Sequence, residues 1–380
     1  MIPLNKNLAH MKRSAIRRFT NLAKETPGCV MLTIGAPDFD TPETVKQAAW
    51  DGLRDNQTHY APNQGVEKLR TAVADFESRR GMPCQADQVL ITVGATEALF
   101  TALLGILNPG EEVVVPTPAF PLYESIITVA GGRMVPLDIS KTGFQIDESA
   151  LNSCITPRTK AIVLNSPNNP SGAVLNRQSL EAVKKAVLGK PIFIICDNVY
   201  QQLSDGDCPD LSLDQDLNDQ ILLCQSFSKP YAMTGWRVGY LVGSAEVMGQ
   251  LLLLHAAAVA AVPTFLQNAC LAALETDPSE MAAVYRRRRE TVCRRLDEMG
   301  LSYPKPEGAF YVFPDISQFG MDSETFCTRM IREGKVAAVP GSCFGTEGHI
   351  RLSYACADET LAVGLDRMAA FIRQLKEEAK

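Results

Sequence analysis

One lysine stands where an amine could do chemistry, because it directly follows an apolar run. Lys229 lies in "SFSKPYAMTGWRVGY" (residues 226–240), after "ILLCQ", which reads as a buried strand. Arg237 follows eight residues later. A lysine is usually placed where water can reach it. Two interpretations are therefore open: Lys229 caps the end of the strand, or its amine is a nucleophile held there.

Other polar residues also follow apolar runs. Thr96 follows "ITVGA", Asn169 lies in "NSPNNPSG", and Asp197 and Tyr200 lie in "IICDNVY". Taken singly, Thr96 is a helix cap and Asn169 part of a turn, but a carboxylate at the end of an apolar strand is costly without a partner. Free N–H groups at a helix start, around Ala95 and Thr96, would also bind phosphate.

The elements that must position these residues follow a regular order. Short apolar runs such as "KAIVLNSP", "PIFIICDN" and "ILLCQSFS" alternate with segments of helical periodicity. This pattern predicts an α/β fold with a mostly parallel sheet sandwiched by helices. The short gap before "VGYLVG" allows one antiparallel pair. A separate strand and helix pattern follows and predicts a smaller α+β domain. We predict an N-terminal arm that packs on the smaller domain (residues 1–44), a large domain (45–280) and a small domain (281–380).

Composition excludes several classes of protein. The 380 residues carry a formal net charge of −6, which argues against a nucleic-acid-binding protein. The eleven cysteines are scattered, and the four histidines are not at ligand spacing, so we expect reduced thiols and no metal site. No apolar stretch is long enough for a signal peptide or a membrane span. We therefore expect a cytoplasmic protein with no nucleic-acid or membrane partner.

Ligands of open α/β sheets bind beyond the carboxyl ends of the strands, so the polar residues above should meet in one crevice. That crevice would hold a phosphate site, a carboxylate, a phenol, an amide and an amine. Pyridoxal 5′-phosphate requires this set: its aldehyde condenses with a lysine, its ring nitrogen must stay protonated, and its phosphate needs many donors. The positions therefore favour the nucleophile interpretation of Lys229.

The chain resembles the class I aminotransferases, which are fold-type I pyridoxal-phosphate enzymes. "SFSKPYAMTGWRVGY" is similar to the family pattern S-x-[ST]-K-x-[YF]-x-M-x-G-x-R-x-G. "IGAPDFDTP", "HYAPNQGVEKLR", "GATEAL", "NSPNNPSG", "DNVY" and "HIRLSYA" occur in the family's order. The resemblance covers essentially the whole chain, and it is nearest to the aspartate, aromatic and N-acetyl-diaminopimelate aminotransferases.

The resemblance implies a role for each matching residue. Lys229 would bind the cofactor aldehyde and carry the proton, Asp197 would pair with the ring nitrogen, and Tyr200 would donate to the ring oxygen. The other cofactor-binding positions would be Ala95, Thr96, Phe120, Asn169, Ser226, Ser228, Arg237 and, from a neighbouring subunit, Tyr60. The substrate carboxylate would be bound by Arg351, Gly35 and Asn169. A homodimer with shared sites follows from Tyr60.

The resemblance implies transfer of an amino group between an L-amino acid and a 2-keto acid, with 2-oxoglutarate as acceptor, by a ping-pong mechanism. The same fold and cofactor also serve β-eliminating C–S lyases, and a non-enzymatic regulator could use the fold. Arg17 and Arg18 are candidates for binding a distal carboxylate, against the plainer interpretation that both are surface charges. The amino donor is not determined by these motifs.

Overall fold

The computed structural model describes residues 5–11 and 15–378 of the chain. Residues 1–4 and 12–14 of the predicted N-terminal arm and residues 379–380 of the predicted small domain lie outside the described residues. The described strands are β1 (Val30–Met31), β2 (Val89–Thr92), β3 (Glu112–Thr117), β4 (Arg133–Asp138), β5 (Thr159–Asn165), β6 (Phe193–Asp197), β7 (Ile221–Ser226), β8 (Gly239–Val242), β9 (Tyr311–Val312), β10 (Val336–Ala337), β11 (Val339–Pro340) and β12 (Ile350–Ser353).

Helices connect most of these strands, as the periodicity predicts. They are α1 (Ala15–Glu25), α2 (Glu43–Arg54), α3 (Glu67–Arg79), α4 (Gly94–Ile106), α5 (Leu122–Val129), α6 (Glu148–Cys154), α7 (Arg177–Val187), α8 (Ala245–Val259), α9 (Thr264–Leu274), α10 (Ser279–Met299), α11 (Ser323–Arg332) and α12 (Asp358–Glu378). In the described part of the chain, no helix is both long and apolar enough to cross a membrane.

The central sheet has seven strands in the order β2-β8-β7-β6-β5-β3-β4. Strand β8 is antiparallel to β2 and β7, and the other neighbours are parallel. The antiparallel pair expected from the short gap after "ILLCQSFS" is thus confirmed. Because the remaining strands are parallel, β5, β6 and β7 end at the same edge of the sheet.

Both faces of this sheet are buried, which explains the continuous apolar runs. Ile162 and Leu164 of β5 belong to one buried cluster, and Ala161 and Val163 of the same strand belong to another. Successive side chains of a strand point to opposite faces, so each cluster covers one face. The predicted α/β class is confirmed.

A third buried cluster lies outside this sheet and contains the smaller sheets. It joins Phe19 of α1 and Met281 of α10 to Leu375 of α12. Strands β11, β12 and β9 form an antiparallel sheet here, while β1 pairs with β10 in parallel. The smaller α+β part of the predicted fold is therefore present, whereas the exact boundaries at residues 44/45 and 280/281 stay a prediction.

Candidate active site

A cavity of about 300 Å³ lies where β5, β6 and β7 end. The predicted cofactor and substrate residues that line it are Gly35, Ala95, Thr96, Phe120, Asn169, Asp197, Tyr200, Ser226, Ser228, Lys229, Arg237 and Arg351. The structure therefore brings together every predicted site residue except Tyr60. Among the described residues, no group of His, Cys, Asp and Glu could hold a metal ion.

Lys229 follows β7 and places its amine in the cavity. Its Nζ donates to the carbonyl oxygen of Gly35 at 2.7 Å. Burial, assisted by the positive charges of Arg237 and Arg351, lowers the pKa of Lys229 from 10.5 to about 8. A buried amine near other cations is more easily deprotonated, and only a neutral amine can attack an aldehyde. The strand-cap interpretation does not explain these neighbours, whereas the nucleophile interpretation does.

Asp197 is the last residue of β6, and its carboxylate is buried. Tyr123 Oη donates to Asp197 Oδ2 at 2.5 Å. Oδ1 has no hydrogen-bond partner among the described residues, although Asp197 lines the cavity. Burial raises the pKa of Asp197 from 3.8 to about 6, against the opposing effects of Tyr123, the Val199 backbone N–H and Lys229. A cationic N–H in the cavity would satisfy Oδ1 and favour its ionised form.

Ala95 and Thr96, at the start of α4, line the same cavity, and the first N–H groups of a helix have no partner within the helix itself. Gly94 opens this helix with φ +73°, and a Cβ built there would lie 2.7 Å from Nη2 of Arg237. The left-handed backbone at this position therefore favours glycine, and the absent side chain leaves room for the guanidinium. Arg237 itself has a left-handed φ of 55° and donates to the carbonyl of Thr234 at 2.9 Å. Helix N–H groups beside a guanidinium make a strong site for a phosphate dianion.

Arg351, on β12, is a buried cation that contacts no carboxylate among the described residues. It donates through Nη1 to Asn169 Oδ1 at 2.9 Å and through Nη2 to the Thr33 carbonyl at 2.8 Å. Its Nε has no partner there. Its guanidinium carbon lies 4.5 Å from the ring centroid of Tyr311 and 5.0 Å from that of Phe344. A buried guanidinium of this kind is suited to an incoming carboxylate.

The contact with Arg351 also orients Asn169. Because the amide oxygen of Asn169 accepts from Arg351, its NH₂ group remains available to donate inside the cavity. The Asn169 backbone N–H is held by Asn165 Oδ1 at 2.8 Å, and Asn165 Nδ2 donates to the Asp197 carbonyl at 2.8 Å. This chain of bonds ties the ends of β5 and β6 together, so the amide and the carboxylate keep a constant separation.

Sequence reasoning missed several cavity residues, chiefly Tyr123, Tyr311, Asn165 and Thr33. Asn165 ends β5 in the way Asp197 ends β6, so its position was a usable signal. Tyr123 follows Phe120 by three residues, close to the start of α5, and Tyr311 lies in the apolar run "GAFYVF". Neither tyrosine is distinguishable by sequence from an ordinary core aromatic residue.

Tyr60 lies apart from this cavity, with 94% of its surface exposed. A role toward its own subunit's cavity is therefore not supported by the geometry of a single chain.

The two candidate arginines of α1, Arg17 and Arg18, differ in their contacts. Arg18 forms an ion pair with Glu324 at 2.5 Å, while Arg17 lines a groove that shares Ile16, Phe120 and Leu122 with the cavity.

The donor set fits pyridoxal phosphate. Asp197 Oδ1 is a buried acceptor in need of an N–H, the start of α4 and Arg237 offer phosphate donors, and Lys229 offers an amine of lowered pKa. Phe120 supplies an aromatic ring to the cavity wall. Each part of the cofactor therefore has a matching group in this cavity.

The chain matches the family model for aminotransferase class I and II over residues 27–368. It is 38% identical to aromatic-amino-acid aminotransferase 2 of Thermococcus litoralis, covering 98% of this chain and 99% of that protein. It is 37% identical to a Bacillus subtilis protein named "Probable N-acetyl-LL-diaminopimelate aminotransferase", covering 98% and 97% of the two chains.

Comparison with solved structures indicates the same family. The aspartate aminotransferase of Thermus thermophilus with maleate superposes with a TM-score of 0.92 at 36% identity, over 97% of this chain and 100% of that one. The resemblance and the fold inferred from the motifs are thereby confirmed. The chain therefore belongs to the class I and II aminotransferases, and it is a pyridoxal-phosphate-dependent enzyme that transfers amino groups.

Proposed function

We propose that this enzyme moves the amino group of an L-amino acid to a 2-keto acid, with 2-oxoglutarate as acceptor, in two half-reactions at the cavity described above. The observation that carries the proposal is the meeting of Lys229, Asp197 and Arg351 in one cavity. An amine, an acceptor for the ring nitrogen and a carboxylate-binding guanidinium are the groups that this reaction requires.

The cofactor would be held at its two ends. Its phosphate would lie among the N–H groups of Ala95 and Thr96, the hydroxyls of Ser226 and Ser228, and Arg237. Its ring would lie against Phe120, with Asp197 Oδ1 accepting from the ring nitrogen and Tyr200 and Asn169 donating to the ring oxygen. When bound, pyridoxal phosphate supplies a conjugated ring that withdraws electrons from the substrate carbon.

The chain's own residues would then bind the substrate and move one proton. Arg351 binds the substrate α-carboxylate through two parallel N–H bonds, beside the backbone of Gly35 and the amide of Asn169. Lys229, whose pKa is lowered to about 8, would accept the proton from the substrate Cα and deliver it to the cofactor carbon that carried the aldehyde. Asp197 stays ionised beside the cationic ring nitrogen, which keeps electron withdrawal strong.

The acceptor is proposed to be a dicarboxylate. The Thermus thermophilus relative was solved with maleate, a dicarboxylic ligand. Arg17 lines the groove that continues from the cavity and has no ion pair among the described residues, whereas Arg18 is engaged by Glu324. Of the two candidates, Arg17 is therefore the better placed for a distal carboxylate.

The enzyme is further proposed to be a cytoplasmic homodimer with two shared sites. Tyr60 is exposed in a single chain, as are Trp50 of α2 and Leu253 of α8, by 94%, 62% and 68%. Large exposed apolar side chains are typical of a surface that a second copy covers. The eleven cysteines are all free, which is consistent with a reducing compartment.

The test is a half-reaction with single amino acids. The holoenzyme, mixed with an amino acid and no keto acid, should lose the absorbance of the aldehyde form and release the matching keto acid once per site. Adding 2-oxoglutarate should restore the absorbance. Release of pyruvate and ammonia without a keto-acid acceptor would indicate β-elimination. Failure of borohydride to attach the cofactor to Lys229 would contradict the assignment of the lysine.

A further inference from the structure

Tyr311 contacts both Tyr200, which is proposed to bind the cofactor, and Arg351, which is proposed to bind the substrate. It lies on β9, which pairs with β12, and Ser353 is opposite Tyr311 in that pair. Only 1% of its surface is exposed, yet it lines the cavity. Its hydroxyl contacts Tyr200, and its ring contacts Arg351.

The hydroxyls of Tyr311 and Tyr200 are 3.0 Å apart, and either could donate. Each phenol has one hydrogen, so the direction of this bond decides where the other hydrogen goes. If Tyr311 donates, the hydrogen of Tyr200 is free to point into the cavity. Donation by Tyr311 also polarises the Tyr200 hydroxyl and makes it a stronger donor.

The ring of Tyr311 faces the guanidinium of Arg351, whose carbon lies 4.5 Å from the ring centroid. Phe344 flanks the same guanidinium at 5.0 Å. A buried cation without a carboxylate partner gains from an aromatic face, and the two rings limit the planes that the guanidinium can adopt. The outer N–H groups are therefore held in one orientation before any carboxylate arrives.

We propose that Tyr311 is a positioning residue for both halves of the site. Its hydroxyl donates to Tyr200 and so directs the Tyr200 hydrogen into the cavity, and its ring holds Arg351 in the orientation that binds a carboxylate. This inference rests on the proposed roles of Tyr200 and Arg351 in the proposed function.

Gly35 provides an independent way to disturb the same hydroxyl. A Cβ built on Gly35 would lie 2.5 Å from Tyr311 Oη, but 3.6 Å from the nearest ring carbon. Alanine at this position must therefore displace the Tyr311 hydroxyl. In a chain that lacks the hydroxyl, the same Cβ meets only an ordinary van der Waals contact.

The experiment is a double-mutant cycle of Tyr311→Phe and Gly35→Ala in the holoenzyme. The first readout is the pH midpoint of the absorbance change of the lysine-bound cofactor. Weaker donation to the ring oxygen favours its protonated form, so Tyr311→Phe should raise the midpoint by about half a pH unit. Gly35→Ala should raise it similarly in the wild-type background and much less in the Tyr311→Phe background.

The second readout is the dissociation constant of maleate, measured by spectral titration. Tyr311→Phe keeps the aromatic face and should leave maleate binding within about twofold, whereas Tyr311→Leu should weaken it about tenfold. The other charged groups of the cavity, Asp197, Lys229 and Arg237, are unchanged in every variant. Cofactor content and thermal unfolding are recorded for each variant.

The matched control is Tyr354→Phe. Tyr354 is fully buried in the same part of the fold, and its hydroxyl donates to the Ala309 carbonyl at 3.4 Å. Tyr354→Phe should lower the free energy of unfolding about as much as Tyr311→Phe does, and it should leave both readouts unchanged. A midpoint in Tyr311→Phe equal to that of Tyr354→Phe, or additive effects in the cycle, would overturn the inference. A wild-type enzyme that forms no lysine-bound cofactor would instead refute the proposed function.

Discussion

Asp197→Asn should stabilise the cofactor-free protein while it disables the enzyme. Burial raises the pKa of Asp197 from 3.8 to about 6, because ionisation would place a charge in a site where Oδ1 has no partner among the described residues. One pKa unit corresponds to about 1.4 kcal/mol. At neutral pH the ionised carboxylate therefore lowers the free energy of unfolding of the cofactor-free protein by about 3 kcal/mol.

The direction in which the free energy of unfolding changes with pH depends on whether the folded and the unfolded chain hold the Asp197 proton. Below pH 3.8, Asp197 is protonated in both the folded and the unfolded chain and has no effect. Between that value and about 6, the folded protein keeps the proton that the unfolded chain has lost, so stability falls as the pH rises. Above this window the loss is complete and constant. An amide does not titrate, so the free energy of unfolding of Asp197→Asn does not fall over this pH range for this reason.

The assay is urea unfolding of both cofactor-free proteins at two pH values. The free energy of unfolding of Asp197→Asn minus that of the wild type should be positive at pH ~7.5 and smaller by about 1.4 kcal/mol at pH ~5. Groups that do not interact with Asp197 titrate alike in both proteins and cancel, whereas Lys229, whose pKa burial lowers and the Asp197 charge partly raises, loses the latter contribution in the variant. The Tyr123 hydroxyl can still donate to the amide oxygen, and the new NH₂ group then takes the place of Oδ1 on a residue that lines the cavity.

With the cofactor bound, the effect should reverse. An amide cannot pair with a protonated ring nitrogen as a carboxylate does, and a charge-assisted hydrogen bond contributes about 1.5–3 kcal/mol. We therefore expect kcat to fall more than about a hundredfold, since the electron-withdrawing form of the ring is also lost. A stability difference that does not change with pH would contradict the raised pKa of Asp197, and near-normal turnover of the variant would show that Asp197 is the wrong carboxylate.

Three further results are expected. The cofactor-free enzyme should condense with pyridoxal phosphate at a rate that rises with pH through about 8, because Lys229 loses its proton there. A rate that does not depend on pH between about 6 and 9 would contradict the lowered pKa of Lys229. Arg351→Lys should weaken binding of every α-amino acid by a similar factor, about tenfold or more, because an ammonium cannot reproduce the bidentate fork of a guanidinium. Binding of simple amines, which lack the carboxylate, should be far less affected. Loss confined to one class of amino acid would mean that Arg351 contacts the side chain. Tyr60→Phe subunits mixed with Lys229→Ala subunits should be more active than the two parents measured separately, because one site of each hybrid dimer is intact. A mixture no more active than its parents, or a fully active monomer in sedimentation, would refute the shared site.

The sequence alone determined the strands and the residues at their ends. Alternation between apolar runs and helical segments is a local property, and burial of both sheet faces leaves a readable pattern in it. Because parallel strands end at one edge, the strand pattern alone predicts that Asp197 and Lys229 lie together. The motif around Lys229 then indicated which cofactor such an edge would bind.

Only the tertiary structure decided which groups support these residues. Tyr123 is 74 residues from Asp197 in the chain, and Tyr311 is 111 residues from Tyr200. The choice between Arg17 and Arg18 likewise depends on where Glu324 lies after folding. Hydrogen bonds and ion pairs form or fail within a few tenths of an ångström. Local patterns predict which side chains are buried, but only the packing of distant segments sets those separations.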